Sequence, residues 1–129
     1  MVSKLVNAAE LRKGSAIMID DAPCIVQRID ISKTGKHGHA KARIEAVGIV
    51  DNKKRILVKP GHEKFGVPQI EKKKGQVLSV LEDKASIMDI ESYETLEAKI
   101  MDEVKGEVKE GSQVEYWVIE GQLIVKRII

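Results

Sequence analysis

The sequence predicts an all-β protein made of two small domains, and three observations lead to that fold class. Short apolar stretches recur along the 129 residues, and turn-forming residues separate them at regular spacing. Helical periodicity is weak between those turns. Residues 1–70 carry 13 Lys and Arg against 7 Asp and Glu, whereas residues 71–129 carry 9 against 13. Net charges of +6 and −4 indicate two domains with different surroundings.

The first half of the chain predicts a small β-barrel or sandwich. Its strands are expected over residues 15–19, 24–31, 42–50 and 55–58. In the second of them, Ile25, Ile29 and Ile31 are in phase, so these side chains are expected on one face. The third alternates apolar and polar residues along its length.

The second half predicts a five-stranded barrel of the OB type. The boundary is expected near residues 70–75, a polar stretch that ends in a glycine and coincides with the change of charge. Strands are expected after it over residues 76–81, 85–89, 95–98, 113–119 and 122–129. Residues 100–109 favour a helical turn, which Gly106 weakens. Short strands with one brief helix-like insertion are typical of OB barrels.

Composition places the chain among cytoplasmic proteins. No apolar run approaches the roughly 20 residues that cross a bilayer, so no membrane association is expected. Residues 1–14 lack the continuous apolar stretch of a signal peptide. The single cysteine, Cys24, lies in an apolar run and is expected to be a buried thiol without a disulfide.

One basic stretch, residues 32–41 (SKTGKHGHAK), lies between two predicted strands. It holds three lysines, two histidines and two glycines, and no acidic residue. A hairpin connection usually needs about two to five residues, so this loop is longer than turn geometry requires. Its length, charge and glycines favour contact with nucleic-acid phosphate, while a solvated hairpin tip is the alternative.

Further basic residues follow the loop. The candidate RNA contacts outside it are Arg43, Lys53, Lys54 and Arg55. Successive turns of a meander lie at opposite ends of a sheet, so the two basic clusters need not share a face. Aromatic residues that could stack on bases are few, and Tyr93, Tyr116 and Trp117 are expected in the core. Contacts with the RNA backbone and shape are therefore expected rather than base reading.

The spacing of residues argues against nucleotide binding, metal binding and catalysis. Gly35-Lys36 resembles the end of a P-loop, but Asp30 stands where the first glycine belongs and His37 follows the lysine. His37 and His39 have no nearby cysteine or carboxylate to complete a metal site. No nucleophile elbow and no distinct carboxylate pair is present. We therefore expect neither an enzyme nor a bound metal.

The same ten residues resemble the hypusine loop of the translation initiation factor 5A family. Further similar segments are residues 11–14 (LRKG), 21–24 (DAPC), 41–48, 89–95 (DIESYET) and 114–117 (VEYW). The resemblance covers essentially the whole chain, and the short lead before the first strand is similar to the archaeal form. It implies an N-terminal SH3-like barrel, residues 1–70, followed by a C-terminal OB-fold barrel, residues 71–129.

The resemblance also implies a function. Lys36 would receive an aminobutyl group from spermidine, transferred by deoxyhypusine synthase with NAD, and hydroxylation to hypusine stays open. The residues that would present it are Ser32, Lys33, Thr34, Gly35, His37, Gly38, His39, Ala40 and Lys41. The factor would bind the ribosome near the exit site as a monomer. Its modified lysine would reach the peptidyl-tRNA and promote peptide-bond formation at stalling sequences such as consecutive prolines.

Two rival classes stay open beside this expectation, a generic RNA-binding or RNA-chaperone module and, far behind it, an enzyme. A generic RNA-binding or RNA-chaperone module would bind free RNA whatever the state of Lys36. A ribosome factor would instead depend on its modification, which adds a second cationic nitrogen and a longer stem to the lysine. No cofactor is expected on the chain itself, since the aminobutyl group would be covalent.

Overall fold

The computed structural model describes residues 4–33 and 40–129. Strands supply nearly all the regular structure, and no α-helix occurs within those two ranges. The all-β prediction is therefore confirmed. The chain divides into two compact units, residues 1–68 and 69–129. No helix in the described ranges is long and apolar enough to cross a membrane.

The first unit consists of two antiparallel sheets around one core. Its strands are β1 (Lys4–Asn7), β2 (Ala16–Ile19), β3 (Ala22–Lys33), β4 (Ala40–Gly48), β5 (Lys54–Pro60) and β6 (Lys64–Val67). Strands β2 to β5 form a meander in chain order, and β1 pairs with β6. The buried core includes Ile17, Val26, Ile44, Ala46 and Phe65. Two small sheets that enclose one core agree with the SH3-like architecture that the resemblance implied.

Strands β1 and β6 were not predicted from the sequence. Each has four residues, KLVN and KFGV. Strand β2 is equally short but is an uninterrupted apolar run, AIMI. Polar residues bound β1 and a glycine interrupts β6, so neither shows a recognisable apolar pattern. Their pairing is visible only in three dimensions, where Leu5 lies opposite Gly66 and Val6 opposite Phe65.

Strand β3 departs from its predicted phase. Ile25 pairs with Val47, whereas Ile29 pairs with Ile44, which is fully buried. A bulge between Val26 and Arg28 inserts one extra residue and reverses the alternation of faces. The prediction that Ile25 shares a face with Ile29 and Ile31 is therefore wrong.

The second unit is a closed five-stranded barrel in the order β10-β11-β9-β8-β7. Its strands are β7 (Ile70–Leu81), β8 (Lys84–Asp89), β9 (Thr95–Ile100), β10 (Gln113–Ile119) and β11 (Gln122–Ile128). Strands β9 and β11 run parallel, and the other neighbours are antiparallel. This barrel confirms the five-stranded prediction.

The polar residues 70–75 belong to the barrel. They form the first half of β7 and pair with β10, from Ile70 opposite Ile119 to Gly75 opposite Val114. Backbone hydrogen bonds do not depend on side-chain polarity, so an exposed lysine run can complete a barrel strand. Residues 100–109 contain only a short 3₁₀ turn, Asp102–Val104. The chain leaves helical geometry at Lys105, which is extended, and Gly106 follows with a φ of +99°.

Candidate functional site

Six residues of the predicted site lie outside the described part of the chain: Thr34, Gly35, Lys36, His37, Gly38 and His39. The residues on both sides of them are paired strand residues. Lys33 lies opposite Ala40, and Ser32 lies opposite Lys41. The connection between the paired strand ends is therefore six residues long instead of ten.

The two strands that lead to this connection form a hairpin arm, which comprises residues 27–33 of β3 and the facing part of β4. Strand β2 reaches only as far as Ile25 along β3, so β4 is the strand that pairs with the rest of β3. Most side chains of residues 27–33 are exposed. On its other side β4 is paired with β5 as far as Lys41 opposite Pro60. The arm is thus exposed along β3 and supported along β4.

A close backbone contact holds the first residue of β4, Ala40. The amide of Gly61 donates a hydrogen bond of 2.7 Å to the carbonyl oxygen of Ala40. A Cβ atom on Gly61 would lie 3.1 Å from the Cβ of Ala40 and 3.4 Å from the Cβ of Ala9. Glycine at this position therefore allows three chain segments to meet where residues 34–39 rejoin the sheet.

The cations near the arm differ in how they are neutralised. Among the described residues, no ion pair involves Lys33 or Lys41. Arg43 lies 2.9 Å from Glu45, and Lys54 lies 3.2 Å from the same carboxylate. Hydrogen bonds from Arg43 and then Lys54 lower the pKa of Glu45. The unneutralised charge of the arm is therefore concentrated beside residues 34–39.

Arg55, another candidate RNA contact, is engaged within its own turn. Its guanidinium donates hydrogen bonds of 3.1 and 2.7 Å to the two carboxylate oxygens of Asp51. A Cβ on Gly48 would lie 1.8 Å from Asp51 Oδ1, so only glycine leaves room for this pair. The Arg55 hydrogen bonds and the Lys53 amide lower the pKa of Asp51 to about 2. Arg55 thereby stabilises the β4–β5 turn.

The basic turn and the hairpin arm lie at opposite ends of β4. Lys41 faces Pro60 at one end, and Val47 faces Lys54 at the other. Lys41 and Val47 are six strand positions apart, a distance of about 20 Å. Lys54 and Arg43 nevertheless share Glu45, so part of the second cluster extends along the same sheet face.

A groove that the sequence analysis did not identify lies next to the arm. This β4–β5 groove has a volume of about 380 Å³ and is lined by Ala40, Lys41, Val58, Lys59, Pro60 and His62. Val58 is 62% exposed, and Ile56, two residues earlier on β5, is 51% exposed. The run Ile56-Leu57-Val58 puts apolar residues on both faces of one strand, and that pattern could have revealed the exposed apolar surface.

The aromatic residues of the barrel have structural contacts. Tyr116 is buried, and its hydroxyl donates a hydrogen bond to Asp89. This bond and the amides of Ser92 and Glu91 lower the pKa of Asp89 to about 2, while burial raises the pKa of Tyr116. Trp117 is also buried, as predicted.

Two lysines of the barrel interact with the ring of Trp117. Lys72 and Lys126 lie 4.8 and 5.0 Å from its centroid. Tyr93 differs from the other aromatic residues of the unit because it is exposed, contrary to the expectation that it is a core residue.

Two other sequence predictions concern metal ions and the cysteine. Within residues 4–33 and 40–129, no group of three His, Cys, Asp or Glu side chains could hold a metal. His37 and His39 lie outside those ranges. Cys24 is buried as predicted, and desolvation raises the pKa of its thiol.

Comparisons with known proteins agree on one family. Residues 3–63 match the family described as "Translation initiation factor 5A-like, N-terminal". Translation initiation factor 5A of Pyrococcus horikoshii is 47% identical over 127 residues, which are 95% of this chain and 92% of that protein.

Solved structures give the same result. The structure described as "Eukaryotic translation initiation factor 5A from Methanococcus jannaschii" has a TM-score of 0.86 and 43% identity, and covers 98% of this chain and 94% of that one. A factor 5A family protein from Naegleria fowleri has a TM-score of 0.78 and 27% identity, with 99% of each chain covered.

Proposed function

Since this chain belongs to the translation initiation factor 5A family, we propose that it acts on the ribosome through an aminobutyl-modified Lys36. The family makes the chain a translation factor. In our proposal it binds near the exit site, in the cytoplasm, and its modified lysine extends towards the acceptor end of the peptidyl-tRNA. It thereby promotes peptide-bond formation at stalling sequences such as consecutive prolines.

The observation that supports this proposal best is the register of the hairpin arm. Lys33 pairs with Ala40, so Lys36 belongs to a six-residue connection between two strand ends. Lys33 and Lys41, which flank this connection, form no ion pair with any other described residue. Unneutralised cations at the end of an exposed arm suit an approach to RNA phosphate.

The proposed role of the chain is to position a group, while the ribosome performs the chemistry. An aminobutyl group lengthens the lysine side chain and leaves two cationic nitrogens, which can bind phosphate oxygens on both sides of a narrow channel. Holding the acceptor end of a tRNA in a productive orientation lowers the entropic part of the barrier to peptide-bond formation. No catalytic residue on this chain is required.

Modification of Lys36 is tested by intact-mass measurement after co-expression with deoxyhypusine synthase. Lys36→Arg should show no added aminobutyl group, because a guanidinium cannot replace the reacting amine. Lys33→Arg is the matched control, and it should be modified like the parent chain. An aminobutyl group on the Lys36→Arg protein would refute the assignment of this lysine.

The role in translation is tested with the modified and unmodified forms of the same protein. Only the modified form should accelerate synthesis of a peptide with consecutive prolines in a reconstituted system. The other candidate function, a generic RNA-binding module, predicts equal binding of free RNA by both forms. Equal stimulation of synthesis by both forms would contradict our proposal and favour that alternative.

A further inference from the structure

We propose that the β4–β5 groove, with the exposed face of β5 beside it, is the docking surface for the enzyme that modifies Lys36. The enzyme surface that fits it carries apolar side chains surrounded by carboxylates. This inference rests on the function proposed above. It adds which part of this chain the enzyme recognises, outside the segment that contains the reacting lysine.

The first argument is the apolar character of the surface. Val58 and Pro60 line the groove, and Ile56 and Val58 are more than half exposed on the same face of β5. Strand β5 is also an edge strand of its sheet. Contiguous β-branched side chains that stay exposed on an edge strand are costly in water, and they mark surfaces that another protein covers.

The second argument is position. Ala40 lines the groove and is also the residue at which the segment containing Lys36 rejoins the sheet. Gly61 holds this point by its 2.7 Å hydrogen bond to the Ala40 carbonyl oxygen. An enzyme that takes Lys36 into its active site must come against the end of the arm at Ala40, beside which the groove lies.

The third argument is charge. Lys41 and Lys59 line the groove, and none of its lining residues is a carboxylate. Arg43, opposite Val58 on the neighbouring strand, is neutralised by Glu45. A complementary partner therefore has acidic groups around an apolar centre. RNA phosphate would bind the lysines but would gain nothing from covering Ile56 and Val58, so these observations favour a protein.

Such a docking surface explains how one lysine is selected. Lys33, Lys36 and Lys41 lie within nine residues of one another, and their amines have the same chemistry. Contacts that lie away from the reacting amine bind the ground state and the transition state equally. Their loss therefore raises KM and leaves kcat unchanged.

The test measures steady-state modification of the full chain by deoxyhypusine synthase with spermidine and NAD, followed by intact mass. Val58→Glu should raise the KM for the protein substrate about tenfold, because it replaces an apolar contact by a carboxylate that faces acidic groups. That change corresponds to about 1.4 kcal/mol. The kcat should not change. Val58→Lys has a similar length but the opposite charge, so an acidic enzyme surface predicts a smaller rise in KM than for Val58→Glu.

Leu5→Glu is the matched control, because Leu5 is 61% exposed on a strand of the same unit and lies outside the groove. Its KM should equal that of the parent chain. Val58→Thr keeps the branched shape without adding a charge, so it serves as a second variant if the charged ones misfold. It should also raise the KM. Thermal unfolding checks that each variant is folded.

Three results would overturn the inference. An unchanged KM for Val58→Glu and Val58→Thr would show that the enzyme does not use the groove. An equal or larger KM for Val58→Lys than for Val58→Glu would exclude an acidic partner surface. Loss of self-association in Val58→Glu with an unchanged KM would make the groove an interface between copies of this chain. If the parent chain itself is not modified at Lys36, the proposed function fails, and this inference fails with it.

Discussion

At the scale of single residues, two glycines in the first unit leave space for contacts close to its basic side chains. Gly48 leaves room for the ion pair of Asp51 and Arg55, and Gly61 lets the backbone approach Ala40. Each contact requires a residue without a Cβ atom at one position. Counting charged residues in the sequence does not reveal such a requirement. As a result Arg55, which looks like a free cation in the sequence, stabilises a turn.

The hydrogen bond from Tyr116 to Asp89 predicts a specific acid sensitivity. The folded pKa of Asp89 is lowered to about 2, with the Tyr116 bond as the largest cause. The unfolded value is about 3.9. The stabilisation is therefore fully present above the unfolded pKa and is lost as the pH falls from about 4 towards 2.

Tyr116→Phe tests this contact. At pH 7 the free energy of unfolding should fall by about 1–3 kcal/mol, because a buried carboxylate loses a donor. The difference from the parent protein should shrink as Asp89 becomes protonated, so the variant loses less stability between about pH 4 and 2. Urea titrations at several pH values measure this. A difference that stays constant with pH would mean that only packing is lost.

At the scale of elements, the basic residues of the first unit lie near the two ends of β4. The arm with Lys41 begins at one end, and the β4–β5 turn with Lys53 lies at the other. Lys53 forms no ion pair with a described residue, whereas Arg55 is bound to Asp51. Charge reversal at these two neighbouring residues should therefore have different consequences.

Lys53→Glu should weaken ribosome association more at low salt than at high salt and leave the melting temperature unchanged, since only a screened surface charge is altered. Arg55→Glu should lower the melting temperature, because it places a carboxylate against Asp51. Co-sedimentation at two salt concentrations and thermal unfolding distinguish these effects. An equal loss of association at both salt concentrations for Lys53→Glu would argue against an electrostatic contact.

The elements also show where sequence patterns are reliable. Alternation over nine residues identified β4 and its buried face, since Ala42, Ile44 and Ala46 are all fully buried. The bulge in β3 broke the same rule, because one inserted residue exchanges the two faces without leaving a turn signal. Strands β1 and β6 lack the continuous apolar run that identified β2, which is equally short.

At the scale of the whole molecule, the two units each have a core of their own. Ile17, Val26 and Ile44 are buried in the first unit, and Val77, Ile87 and Val114 in the second. The charge difference between the halves, +6 against −4 for residues 1–70 and 71–129, follows nearly the same division. A unit that closes its own barrel and buries its own apolar residues has what it needs to fold alone.

We therefore expect the fragment of residues 69–129 to fold independently. Its barrel is closed by the pairing of β7 with β10, so no strand edge depends on the rest of the chain for that closure. Circular dichroism should show strand structure, and thermal unfolding should be cooperative. A fragment that starts at residue 76 is the control and should fail, because it lacks the half of β7 that pairs with β10. Non-cooperative melting of the longer fragment would disprove the expectation.

Patterns of consecutive residues were sufficient to predict the all-β class, the five-stranded second unit and the strands that flank the basic stretch. These features depend on the alternation of apolar and polar residues and on turn-forming residues, both of which involve only neighbouring positions in the chain. Lys36 was singled out only by resemblance to a family, and its role stays a prediction, since residues 34–39 lie outside the described part of the chain.

In contrast, the three-dimensional contacts were needed to see which cations are neutralised, where the arm ends and what lies beside it. Glu45 on β4 forms an ion pair with Lys54 on the neighbouring β5, Lys33 pairs with Ala40, and Ala40 and Val58 line the same groove. Each of these contacts depends on strand register and on a close approach between distant parts of the chain. A one-residue change of register would move every side chain to the other face, so such contacts cannot be obtained from composition or spacing alone.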